Sequence, residues 1–280
     1  MRSSIESITG NFMQCQENSC NIETGMLCGM LTSQRRKLIL ERLKRDGQII
    51  AKSLSVELEL SEDTIRRDLR ELAQEGLLQR VHGGALPASS AIADFATRQT
   101  IASNAKSAIG AAAARTIEPG SVVIVDGGTT AVQLIRALPQ QLEATIVTHS
   151  PSIAVELIAH PNIDVILIGG RLFKHSVVAI GAVTIAGYAQ IRADLCFVGV
   201  TGLHPDIGLT TGDLEEAHIK RAMIASAGEV TVMTSSEKLL AASSYVIAPI
   251  SAVSAIITEL SAPIADTQPF ERLGISVTRA

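Results

Sequence analysis

Tryptophan is absent from this 280-residue sequence, and two tyrosines and five phenylalanines are all its aromatic rings. Seven rings are too few for the base-stacking platform of a single-strand binder, so that class is excluded. A basic excess is missing too: 24 Lys and Arg face 28 Asp and Glu, a formal charge of -4. Any nucleic-acid contact must therefore come from a local basic face rather than from the molecule's overall field. Long apolar runs are lacking. The nearest, 177–188, is broken by Gly181, Thr184 and Gly187 and falls short of the roughly 18 residues of a membrane span. The first 30 residues have no basic stretch followed by an apolar one, so no secretory signal is read and the cytoplasm is the expected compartment. Cysteine is sparse. Cys15, Cys20, Cys28 and Cys196 fit reduced thiols, and the first three have neither a CxxC pair nor a nearby His. No metal or other cofactor is expected.

What is present divides by composition. At roughly 100–200 residues per domain, the length favours two domains. Residues 1–30 carry one basic and three acidic residues without apolar periodicity, and read as a disordered leader or as codons upstream of a start at Met26 or Met30. Residues 31–85 carry eleven basic against nine acidic residues; from Leu86 onward the balance is twelve against sixteen, in a stretch rich in Ala, Gly, Val and Ile. The one positive segment is the short one. Residues 86–100, with Pro87 and Ser89-Ser90, read as a linker, and 101–280 as a second domain.

In the positive segment, Leu38, Ile39, Leu40 and Leu43 recur at helical spacing up to Asp46-Gly47. A second helix is read around Leu54 and Leu58, with no clear cap in 48–51. Ser61-Glu62-Asp63 supplies a hydroxyl N-cap and two first-turn carboxylates to a third helix that runs to about Glu75 and stops at Gly76. Residues 77–81 and Gly83-Gly84 suggest a small β-hairpin. With about 100° per residue, Ile65, Leu69 and Leu72 share one face of the third helix while Arg67, Arg70 and Gln74 lie opposite, flanked by Arg66 and Thr64. That face suits a major groove: arginine pairs bidentately with guanine, and Ser61, Thr64 and the helix N-terminus suit phosphates or base edges. A solvated face of local ion pairs, built on Asp63 and Asp68, is the plain alternative.

The runs 35–43, 60–69 and 76–85, with their mutual spacing, closely resemble the winged helix-turn-helix of the DeoR family of bacterial transcription regulators. The resemblance implies that 61–75 is a recognition helix and 78–84 a wing, with Arg80 and His82 touching the DNA backbone. The stretch 48–53 is less regular than the family pattern.

The second domain alternates apolar runs (122–125, 145–148, 165–168, 196–200, 230–233) with helical stretches such as 130–138, 151–160 and 214–227. The runs are read as buried strands of a mostly parallel, Rossmann-like sheet covered on both faces, so that the fold class is an α+β winged helix-turn-helix head followed by an α/β domain. No nucleophile elbow, HExxH, Walker loop or Rossmann glycine triplet is present. Asp126-Gly127-Gly128-Thr129-Thr130 follows one strand and opens a helix, the arrangement that offers N–H donors to a phosphate. Thr148-His149-Ser150 and Gly169-Gly170-Arg171 follow the next two strands. Asp126, Gly128, Thr129, Thr130, Thr148, Ser150, Gly170 and Arg171 are thus the candidate ligand residues at one sheet edge. Such turns are also Gly- and Thr-rich for conformational reasons alone.

These stretches, with 194–199, 208–210, Glu216-Ala217, Lys220 and Ser235-Ser236-Glu237-Lys238, resemble the effector domain of the same family, related in fold to sugar-phosphate isomerases and CoA transferases. The resemblance implies a sensor of phosphorylated sugars or related metabolites, with Lys220 and Lys238 as the positive partners of a phosphate. A surface pair with Glu216 is the other reading of Lys220. His149 stands where the family more often has Asn, and Thr258-Glu259 replaces Thr-Asp. His160, His175, His204 and His218 show no metal spacing and are expected in loops or at the surface. The expected function is a repressor of a carbohydrate operon that binds double-stranded operator DNA as a homodimer or homotetramer and is not an enzyme. The alternative is a sugar-phosphate isomerase or CoA-transferase-like enzyme with an accessory head, using Asp126 or Glu216 as base.

Overall fold

A computed structural model describes residues 30–75, 77–81, 83–87, 95–100 and 103–280. The leader with Cys15, Cys20 and Cys28, the helix stop at Gly76, and His82 lie outside the described residues.

The head is built from α1 (Thr32–Asp46), β1 (Ile49–Ile50), α2 (Ala51–Glu57), α3 (Glu62–Gln74), β2 (Leu78–Val81) and β3 (Gly84–Pro87). Helix α1 ends where Gly47 turns left-handed at φ 71° and its N–H caps the Leu43 carbonyl. The ill-defined stretch before α2 is β1, which pairs with β3 to complete a three-stranded sheet in the order β1-β3-β2. A two-residue strand has no periodicity to read, which is why the sequence showed only irregularity there. Ile39, Leu43, Leu54, Leu58, Ile65, Leu69, Leu72 and Leu78 form one buried core. The stretch read as linker holds the end of β3 and a short helix, α4 (Phe95–Thr100).

The second domain continues with α5 (Ser103–Ala114), β4 (Val122–Val125), α6 (Thr129–Arg136), β5 (Ala144–Thr148), α7 (Pro151–Leu157), β6 (Ile163–Leu167), β7 (Arg171–Phe173), β8 (Val178–Ile180), α8 (Ala182–Ala189) and β9 (Ala193–Gly199). Then follow β10 (Gly202–His204), β11 (Gly208–Thr211), α9 (Leu214–Ala225), β12 (Ala227–Met233), β13 (Tyr245–Ala248), β14 (Ala255–Thr258), α10 (Ile264–Glu271) and β15 (Ser276–Arg279). Seven strands form one sheet in the order β15-β14-β12-β9-β4-β5-β6, and every pairing in it is parallel. Strand residues alternate between two cores. Ile124, Cys196, Val198 and Val232 pack with Tyr188, Ile219 and Met223 from α8 and α9. Val123, Val125, Phe197 and Met233 pack with Ile109, Leu134 and Ile153 from α5, α6 and α7. Burial on both faces explains the unbroken apolar runs.

One run departs from that reading: β6 is an edge strand, and Ile166 and Leu167 on it are exposed. Hydrophobicity alone does not tell an edge from a centre. The chain winds from β4 outward through β5 and β6 on one side, and from β9 through β12, β14 and β15 on the other. The direction reverses between β4 and β9, and the crevice at that switch point, beyond the carboxyl ends of the strands, is where open parallel sheets take ligands. A small antiparallel sheet, β10-β11-β13, and the β7–β8 hairpin rim it.

Candidate functional site

Two faces carry the chemistry. On the head, the Ser61 hydroxyl accepts from the Thr64 N–H at 3.2 Å and lies 2.8 Å from the Thr64 hydroxyl, so the N-cap forms as its residue types dictate. Asp68 is buried and receives Arg35 through two guanidinium nitrogens, with Arg36 at 3.7 Å. It is therefore not the local partner of the exposed arginines; it fastens α3 to α1. Arg66 pairs with Glu62 at 2.7 Å, whereas Arg67 and Arg70 are exposed and form no ion pair among the described residues. Between α3 and the wing lies a hollow of about 480 Å³, lined by Arg66, Arg67, Arg70 and Arg80 with the backbone of Gly83 and Gly84. Four guanidinium groups, one from the wing and three from the helix, surround one cleft that Asp63 also lines, a concentration of positive charge of the kind that suits a polyanion.

In the second domain a cavity of about 400 Å³ opens at the switch point. Asp126, directly after β4, is buried beneath it and holds three of its lining residues. The N–H of Gly127 donates to Asp126 Oδ1 at 2.8 Å, the N–H of Gly199 to Oδ2 at 2.9 Å, and Lys220 forms a buried ion pair with Oδ2. Burial pushes the Asp126 carboxyl up, but Lys220, His149 and the Gly199 N–H outweigh it and hold the group below the usual carboxylate range. Glu216 is not the partner of Lys220. Lys220 lies instead on the buried face of α9, turned to Asp126, and Asp213 caps that helix through the Glu216 N–H at 3.0 Å.

A Cβ on Gly127 would stand 2.2 Å from Val178 Cγ1 on β8, so close packing there calls for glycine, and Gly128 adopts φ 119°, which the turn that opens α6 requires. Gly128, Thr129 and Thr130 line the cavity, with the unpaired first-turn N–H groups of α6 beside them. Lys238 enters from the turn after β12, which Glu259 clamps by accepting from the Ser236 N–H at 2.9 and 3.0 Å. Glu259 thus has a structural task that its departure from the family's Asp left open. Burial, joined by Lys106, Arg98 and Lys220, brings the Lys238 ammonium down to about 8 against the pull of Glu237. Lys106, buried, donates to the Arg98 carbonyl at 2.5 Å and is likewise lowered by burial.

Beside Asp126, His149 Nδ1 lies 2.8 Å from the Tyr188 hydroxyl and Nε2 lies 3.8 Å from Asp126 Oδ1. Burial outweighs the attraction of Asp126 and lowers His149 to about 4, so the ring is neutral at neutral pH.

Of the residues singled out in the sequence, Gly128, Thr129, Thr130, Lys220 and Lys238 line this cavity, with Asp126 beneath. Thr148, Ser150, Gly170 and Arg171 do not line it. The Thr148 hydroxyl accepts from the Ser150 N–H at 3.1 Å, the Ser150 hydroxyl donates to the Val177 carbonyl at 3.2 Å, Gly170 packs closely against Thr184 and Ile180, and Arg171 is exposed on β7. Their turns follow β5 and β6, one and two strands away from the switch point. One histidine departs from the expectation of a loop or surface place: His204 is buried on β10, whereas His160 is buried in the loop after α7 and His175 lines the cavity. Arg98, Lys106 and Glu237 also line it, yet helices α4 and α5 carried no motif that could have announced the first two.

The DeoR C-terminal sensor domain matches residues 101–260 and the DeoR-like helix-turn-helix domain matches 35–91. The chain is 32% identical over 250 residues to the HTH-type transcriptional regulator GlpR of Haloferax volcanii, covering 89% of this chain and 98% of that protein. It is 32% identical over 240 residues to the glycerol-3-phosphate regulon repressor of Escherichia coli K12, covering 85% and 95%. A ribose 5-phosphate isomerase A from Methanocaldococcus jannaschii aligns with a TM-score of 0.36 at 15% identity, over 49% of this chain and 54% of that one.

Proposed function

Since the chain belongs to the DeoR family of transcriptional regulators, we propose that it is a repressor of a carbohydrate-utilisation operon, released from its operator by a phosphorylated sugar or polyol. The observation that carries the effector class is the composition of the switch-point cavity. Lys106, Lys238 and the open N-terminus of α6 suit a phosphate, while Glu216 and the hydroxyls of Thr201 and Ser243 suit the alcohol groups of a polyol. The relative named for a glycerol-3-phosphate regulon supports the same class.

On the head, Arg67 and Arg70 read the major groove, Ser61, Thr64 and Arg66 hold the helix N-terminus on the backbone, and Arg80 and His82 track phosphates from the wing. One short helix reads few base pairs, so the protein works as a homodimer or homotetramer on repeated half-sites, in the cytoplasm where the operator is. Asp126 serves as an anchor for Lys220 and the β9 turn rather than as a base: its carboxylate is buried and already engaged by two N–H groups and an ammonium.

The test is retardation of the fragment upstream of the gene, challenged with a panel of sugar phosphates and the corresponding free sugars. Release by a phosphate and not by its free sugar is expected. Release by an uncharged sugar alone overturns the effector assignment, and turnover of ribose phosphate by the purified protein overturns the preference for a regulator over an isomerase.

A further inference from the structure

The head reaches the mouth of the sensor cavity. Gln79 of β2 belongs to the wing, yet its side-chain Nε2 donates to the Ser244 hydroxyl at 2.6 Å, and both residues line the cavity. Ser244 stands on a fixed rim. The adjacent Ser243 is held by its N–H on the Thr210 hydroxyl at 2.9 Å and by its own hydroxyl 2.6 Å from Thr201. The turn after α1 approaches the same rim, where a Cβ on Gly47 would lie 3.8 Å from the Leu240 carbonyl. Two separate parts of the head thus meet one sensor loop.

The strand geometry gives this contact a direction. Neighbouring side chains of a strand point to opposite faces. On β2, Gln79 turns to the sensor, and Arg80 turns to the hollow that it shares with Arg66, Arg67 and Arg70. One peptide unit separates a group at the cavity from a group at the candidate DNA surface. The Gln79 amide also has capacity in hand: its carbonyl and second N–H meet no hydrogen-bond partner among the described residues.

We propose that the ligand site is completed by the DNA-binding head: Gln79 binds a hydroxyl of the bound polyol phosphate through its open amide groups, and this contact ties the wing's position to cavity occupancy. The inference rests on the phosphate reading of the cavity given above. Ligand then stabilises the wing docked on the sensor rim, and Arg80 moves with the wing because it shares the strand. Such coupling needs only a ligand that binds the docked arrangement better than the undocked one.

The experiment uses the full chain without operator. Inorganic phosphate, glycerol 3-phosphate and fructose 6-phosphate are titrated calorimetrically into the wild type, Gln79→Ala and Lys238→Ala, and backbone hydrogen exchange is followed in 77–87 and 240–244 with the tightest of the three. In the wild type the ligand slows exchange in both segments. In Gln79→Ala its affinity falls about fivefold, the loss of one neutral hydrogen bond, and the wing loses its protection while 240–244 keeps it. Unchanged affinity in Gln79→Ala, or a wild-type wing whose exchange ignores the ligand, overturns the inference while the phosphate reading stands on the Lys238→Ala loss. If none of the three binds the wild type, the phosphate reading itself falls and this inference with it.

Discussion

Lys238 sits close to losing its charge, and that makes the cavity's anion affinity a function of pH. Its ammonium is lowered to about 8 by burial and neighbouring cations, whereas a phosphate monoester is a dianion above roughly pH 6. Affinity for a sugar phosphate is therefore highest between those values and declines as pH rises through 8, a trend that calorimetry at pH 7 and 9 resolves and that Lys238→Ala weakens, Lys106 being the other lowered ammonium. His149 acts in the opposite direction on stability. Its folded value of about 4 lies below the ordinary 6.5, so the unfolded chain binds the extra proton between those limits and stability falls as pH drops through them. The loss is on the order of 3 kcal/mol at 1.36 kcal/mol per unit. Urea denaturation of His149→Asn from pH 7 to 4 should show a shallower slope, to which His204, also lowered by burial, and at the acid end the lowered carboxyls of Asp126 and Glu156 still contribute. On the head, Arg67→Ala should lower operator affinity by about 1–3 kcal/mol and relax discrimination at one base pair; an equal loss on every DNA sequence would make Arg67 a phosphate contact instead.

Helix α3 is an element whose outer face was easier to foresee than its anchor. Its apolar stripe and arginine face follow from a 3.6-residue period, and the Ser61 cap from local chemistry, so both were legible in the sequence. The Asp68 clamp was not, because its partners Arg35 and Arg36 are 33 and 32 positions away and a lone Asp among arginines reads as a surface pair. Asp68→Ala leaves the Arg35 guanidinium buried without its carboxylate and should destabilise the head by about 3–5 kcal/mol, measured as an early loss of head helicity on heating while the sensor's transition stays in place. The sheet shows the same division. Its central strands were visible as apolar runs, but β7, β8, β10, β11 and β13 are short antiparallel pieces whose pairing is set by tertiary contacts. The Gly-Gly-Thr-Thr turn was found because its glycines and hydroxyls carry a local signature. The turns after β5 and β6 carry a similar one, and only strand order decides that the first of the three lies at the switch point.

At the scale of the whole molecule the head and the sensor have separate hydrophobic cores. The head has its own core around Ile39, Ile65 and Leu72, and the sensor has one on each face of its sheet. Among the described residues the seam between them includes the Gln79 bond to Ser244 and the close approach of Gly47 to Leu240, with α4 joined to the sensor by the Phe95 N–H on the His175 carbonyl at 2.9 Å, by Arg98 on the Ser176 hydroxyl at 3.4 Å and by Lys106 on the Arg98 carbonyl at 2.5 Å. Unfolding is then expected in two calorimetric transitions. A ligand at about a hundred times its Kd stabilises the unit that binds it by about 2.7 kcal/mol, which for a domain of the sensor's size raises its transition by roughly 5–10 °C. The head, which does not hold the ligand's phosphate, gains only the coupling energy passed through the seam, typically about 1–3 kcal/mol. Operator DNA reverses the order, shifting the head's transition more than the sensor's. Differential scanning calorimetry of the full chain with a binding sugar phosphate, with operator, and with neither reads all four shifts. A single transition that moves as one body under either ligand would show that the two parts unfold as one cooperative unit.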